Sequence, residues 1–117
     1  MRIVELDEFR SLKPGTIFMK YSPQIFGELM VFQGVTGDVD FIYESLADEI
    51  ECGGSTELFD LISAAEKDSR KSLPLDFHCT ARDGMYESDQ LFAVYEDKDI
   101  AGLISKLEEC RSMAYAI

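Results

Sequence analysis

Apolar positions along the chain change period several times, and each change marks an element. Leu91-Phe92-Ala93-Val94-Tyr95 is a continuous apolar run, preceded by the turn dipeptide Asp83-Gly84 and the polar stretch to Gln90. Such a run reads as a strand covered on both faces, here a central strand over about 91–95, with the following helix folding back over the sheet. Upstream, Thr16–Tyr21 alternates, placing Ile17, Met19 and Tyr21 on one face and Phe18 and Lys20 on the other. Leu29–Phe32 and Val39–Tyr43 are further strand segments, separated by Gly34-Val35-Thr36-Gly37-Asp38. Together they predict an antiparallel meander over about 16–43. Leu46–Glu51 reads equally as continued strand or acidic loop.

Helical spacing appears in three places. A brief helix is expected after Asp7 as N-cap, with Phe9 and Leu12 three apart on its buried side and Pro14-Gly15 ending it. Thr56–Lys71 carries Leu58, Leu61, Ile62 and Ala65 on one face, with Glu57 in the first turn and Arg70 and Lys71 in the last. The last helix, over about 98–113 with Asp97 as N-cap, carries Ile100, Leu103, Ile104, Leu107, Cys110 and Ala114. Short strands are expected at Arg2–Leu6 and Asp76–Thr80. Strands followed by helices, without regular βαβ alternation, define an α+β fold: one domain over 1–117, a mostly antiparallel sheet packed by two longer helices.

Length and composition agree with one globular domain: 117 residues, 46% of them hydrophobic. No apolar run approaches membrane-spanning length and the start lacks a signal peptide's apolar core, so a cytoplasmic protein without membrane contact is expected. Cys52, Cys79 and Cys110 are odd in number and unpaired in spacing, which suits free thiols in a reducing compartment; one histidine and no paired ligands leave no basis for a zinc site or other cofactor.

Charge changes the picture most. Twenty-three acidic residues stand against eleven basic ones, a formal net charge of −12. Between Lys20 and Lys67 there is no lysine or arginine, yet ten acids occur: Glu28, Asp38, Asp40, Glu44, Asp48, Glu49, Glu51, Glu57, Asp60 and Glu66. Without local cations, these carboxylates set up a one-signed field that repels nucleic acid and attracts a basic protein surface. A purely solvated acidic face is the plainer alternative. The expected partner-binding set is Asp38, Asp40, Glu44, Asp48, Glu49, Glu51, Glu57 and Asp60, with Phe26, in a loop between Ile25 and Gly27, as an exposed aromatic anchor.

Catalytic patterns are weak. Asp38-Val39-Asp40 is a D-x-D pair that would offer two carboxylates to one side of a strand, and so to a divalent cation, but no third ligand is marked. Gly53-Gly54-Ser55-Thr56 before a helix looks like an anion cradle, but Asp48, Glu49, Glu51 and Glu57 would repel a phosphate. His78 and Cys79, adjacent on a strand, would face opposite ways and make a poor dyad.

Two stretches resemble small acidic proteins carried by bacteriophages and prophages: Leu12-Lys13-Pro14-Gly15-Thr16 running on to Tyr21 with Ile25-Phe26-Gly27-Glu28-Leu29, and Arg82-Asp83-Gly84 running on to Asp89-Gln90-Leu91-Phe92-Ala93-Val94-Tyr95. The resemblance implies a protein made in the cytoplasm of an infected bacterium, where small acidic proteins often inhibit host defence or nucleic-acid enzymes. The expected function is non-enzymatic: an acidic mimic of nucleic acid that occupies a basic surface on a host protein. The alternatives are a small-ligand-binding or sequestering protein with a pocket at the subunit interface of a homodimer and, third, a metal-dependent enzyme using Asp38 and Asp40.

Overall fold

A computed structural model describes residues 1–37, 40–84 and 86–116. The fold is α+β, with an antiparallel sheet of seven strands among the described residues and three helices, two of them long. In chain order these are β1 (Arg2–Val4), α1 (Leu6–Arg10), β2 (Thr16–Ser22), β3 (Ile25–Phe26), β4 (Met30–Thr36), β5 (Asp40–Ser45), α2 (Ser55–Lys67), β6 (Thr80–Asp83), β7 (Leu91–Val94) and α3 (Asp97–Ala114). Strand order across the sheet is β1-β7-β2-β4-β5-β6, with β3 a short arm paired to β2. The meander is therefore present as β2-β4-β5, in the registers Ile17↔Val31 and Phe32↔Tyr43.

Local chemistry sets the turns. Gly15 takes φ +99, and its N–H donates to Phe32 O at 2.7 Å, which brings β2 alongside β4. Pro23 and Gln24 turn β2 back onto β3, Gln24 adopting φ +67. Gly34, at φ +111, lies where β4 shifts register against β5 between Phe32 and Val35, the position of a bulge.

One sheet face carries the core. Phe9 from α1, Phe18 from β2, Phe32 from β4, Phe41 from β5 and Phe92 from β7 are fully buried, joined by Val4 and Val94. Phe9 is the hub: it stacks on Phe92 at 3.9 Å between ring centroids and meets Phe18, Phe32 and Phe41 at 4.7–5.1 Å in tilted or edge-on geometry. On the opposite face Ala93 and Met19, paired in register, are buried too. So β7, held between β1 and β2, is covered on both sides, as its apolar run implies.

The helices depart from expectation in their ends and their packing. α1 starts one residue before Asp7, after Glu5 in an extended conformation, because Asp7 serves in the first turn instead of capping it. α2 stops at Lys67: Arg70 donates its N–H to Asp68 Oδ1 (3.0 Å), and this local turn replaces the last expected helical turn. α3 is capped by Glu96, whose N–H donates to Asp99 Oδ2 (2.8 Å) in a capping box. The short α1 is the helix that fills the core; α2 and α3 bury no residue. Nor does α3 fold back over the sheet: Ile100 and Leu103 are half-buried at its root, and every residue from Ile104 to Ala116 is exposed. The Cα radius of gyration is 16.8 Å, against about 13 Å for a compact chain of this length. Among the described residues, no helix is long and apolar enough to cross a membrane.

Candidate interaction surface

The acidic stretch follows β5 out of the sheet into the 46–54 loop and onto α2. Asp48, Glu51, Glu57 and Asp60 are exposed, while Glu44 and Glu49 are half-buried. Their few contacts are local and neutral. The Glu49 carboxylate accepts from Ser45 Oγ at 3.4 Å, and Glu57 Oε2 accepts the Gly53 N–H at 2.6 Å. Among the described residues, no lysine or arginine nitrogen comes within ion-pair distance of Glu44, Asp48, Glu49, Glu51, Glu57 or Asp60. The gap in basic residues along the chain thus persists in three dimensions for these six carboxylates.

Asp40 behaves differently and corrects the expected set. It is 9% exposed, and its Oδ2 accepts from Arg82 Nε across the β5–β6 pair. A cation remote in sequence reaches it because Ile42 pairs with Arg82 and Phe41 with Asp83, which brings β6 alongside β5. Lys20 Nζ, reaching from β2, lies 2.6 Å from Asp83 of β6. Asp40 is therefore an anchor of the sheet, its carboxylate taken up by Arg82. Asp38, its partner in the D-x-D pair, lies outside the described residues. Next to Asp40, Tyr86 packs against the core with its hydroxyl buried; burial pushes its pKa up, Arg10 opposes that shift, and Asp40 and Asp83 add to it.

Two segments brought together by tertiary structure enlarge the acidic surface. Glu51 N–H donates to Pro74 O (2.8 Å) and Asp76 N–H to Glu49 O (2.9 Å), so the 73–79 segment runs antiparallel to the acidic loop. The result is a cavity of about 290 Å³ lined by Asp48, Glu49 and Asp76 together with Ile50, Leu58, Ile62, Cys52 and Cys79. Asp76 and the two cysteines were not among the expected site residues; nothing local to 73–79 signals that it lies beside residues 49–51. Burial raises the Cys79 thiol pKa, and the negative field of Glu49 and Asp76 raises it further. A thiol held protonated in this way is a poor nucleophile, and the adjacent His78 is exposed, its N–H held by Asp76 Oδ1 at 2.8 Å.

Phe26 is exposed as expected (49%), but on the short β3 strand and not in a loop, with its ring 5.1 Å from that of Tyr21. Leu46 N–H donates to Leu29 O (3.4 Å), tethering the start of the acidic loop to the segment that carries Phe26 and Glu28. The Gly53-Gly54 turn binds its own Glu57 at the position an anion would need. Comparison of the chain with protein-family models, with curated proteins and with solved structures finds no match.

Proposed function

We propose that this protein is a non-enzymatic, phage-encoded inhibitor that acts in the bacterial cytoplasm by covering a basic, nucleic-acid-binding surface of a host protein. The observation that carries the reading is the group of carboxylates without cationic partners, Glu44, Asp48, Glu49, Glu51, Glu57 and Asp60, spread over β5, the following loop and α2. Unneutralised carboxylates on one part of a surface act together at long range and steer a cationic partner toward it. Asp76 adds to this surface, whereas Asp40 supports the sheet beneath it. Phe26, exposed on β3, supplies a further apolar contact.

The test begins with capture from bacterial lysate at low and high salt. The captured protein is then assayed for release of a duplex DNA probe. Reversing Asp48, Glu51 and Asp60 to lysine should slow association with the captured protein about tenfold or more at low ionic strength, and much less at high salt. Reversing Glu87, Asp89 and Glu108, all exposed and outside the window, makes the same change in net charge. Equal association rates for the two triple variants at low salt would reduce the window to a solvated face.

A second reading is supported by the cavity beside the acidic loop. A mainly apolar lining that includes Asp48, Glu49 and Asp76 suits a small cationic ligand. Retention of a cationic metabolite by the purified protein, lost on substitution of Glu49 and Asp76 by their amides, would favour that reading.

A further inference from the structure

Among the described residues, nothing of its own chain covers the apolar face of the distal part of α3. Ile100, Leu103, Leu107, Cys110 and Ala114 recur at spacings of three, four, three and four, the pattern by which one helix seats the side chains of another. Ile104 (52%), Leu107 (61%), Met113 (77%) and Tyr115 (77%) are exposed. A helix of 18 residues spans about 27 Å, and without tertiary contacts its outer turns are only marginally stable in water. At its root, Met1, Tyr95, Lys98, Asp99, Gly102 and Leu103 line an open cavity of about 470 Å³.

From these features we infer that two copies of the chain dimerise by packing their α3 helices antiparallel, each lodging Met113 at the root cavity of the other. The ends of α3 are complementary to each other. Its first turn carries Asp97 and Asp99 and its last carries Arg111. With the a and d positions of the two helices interleaved antiparallel, Asp97 of each copy flanks Arg111 of the other, and Ile104 meets Ile104 across the two-fold axis. The helix dipoles are then opposed as well. Antiparallel pairing sets Lys106 against Lys106 once, across the axis, and gains two Asp97–Arg111 pairs; parallel pairing would set Lys106 beside Arg111 twice with no such gain. Knob and cavity lie on one helix at a fixed separation, so a single two-fold axis satisfies both at once, as a self-complementary interface requires. A second copy thus accounts for the apolar stripe, the charged ends and the open cavity together. α3 lies outside the acidic window, and the dimer holds or fails independently of the proposed function.

Light scattering and sedimentation of the purified chain should give twice the 13.2 kDa chain mass at micromolar concentration. Leu107→Lys, at a position exposed in the single chain, should leave the circular dichroism spectrum folded and weaken the dimer about a hundredfold. Asp97→Arg and Arg111→Asp should each weaken it about tenfold, and the double swap should restore it. In the antiparallel pair the two Cys110 residues lie about 15 Å apart along the axis, beyond the ~7 Å Cα limit for a disulfide. Diamide oxidation should therefore give no Cys110-linked dimer. A monomer at all concentrations, a double swap no tighter than the single variants, or a Cys110 cross-link abolished by Cys110→Ser would overturn the arrangement.

Discussion

Phe92 on β7 and Leu107 on α3 both lie in stretches whose apolar spacing is clear, yet one is fully buried and the other 61% exposed. The difference comes from what the chain brings opposite each. Phe92 meets Phe9, Phe18 and Phe41 because three strands and one short helix converge on a single sheet face. Leu107 lies about one turn beyond Leu103, the last half-buried residue of its helix, on a stretch where every described residue is exposed. Periodicity identifies the face that would be buried; only the neighbours decide whether it is.

The sharpest way to break the comparison is at the hub of the core. Phe9→Ala removes a ring in contact with four others, and it should destabilise the protein by about 3–5 kcal/mol in urea unfolding. An unchanged midpoint would mean that α1 does not close the sheet face. An intermediate loss is expected for Arg82→Ala, which leaves the largely buried Asp40 carboxylate without its partner. That should cost about 1–3 kcal/mol, at the lower end because Arg82 itself is mostly exposed and water can reach the pair. Equal stability of Arg82→Ala and the parent chain would show that Asp40 is solvated instead. The smallest effect belongs to Leu107→Ala. In dilute solution, where chains are separate, it should shift stability by no more than about 0.5 kcal/mol, with the loss growing as concentration rises if the α3 faces pair. A large, concentration-independent loss would place Leu107 in an intramolecular core and erase the contrast with Phe92.

The acidic surface divides along similar lines. Asp48, Glu51, Glu57 and Asp60 keep the isolation that the sequence suggests, because the nearest lysines and arginines along the chain stay out of reach. Asp40 does not, because β6 delivers Arg82 from 42 residues away. Glu44, on the same strand, stays without a cationic partner among the described residues because it pairs with Thr80; the ladder imports a partner for an acid only where its register brings a cation close, as Arg82 comes to Asp40.

The α+β class, the β2-β4-β5 meander, the doubly covered β7 strand, the existence of both long helices and the net acidity are all legible along the chain. These rest on interactions between residues close along the chain: alternation, helical spacing, glycine and proline at turns, and charge. Folding in three dimensions makes Phe9, from a five-residue helix, the hub of the core, ties Asp40 to Arg82, gathers Asp76 and Cys79 with Glu49 and Cys52 around one cavity, and leaves the apolar face of α3 uncovered among the described residues. Each of these depends on which distant segments meet. That choice is governed by strand order and by the summed burial of many side chains, and no window of neighbouring residues contains it.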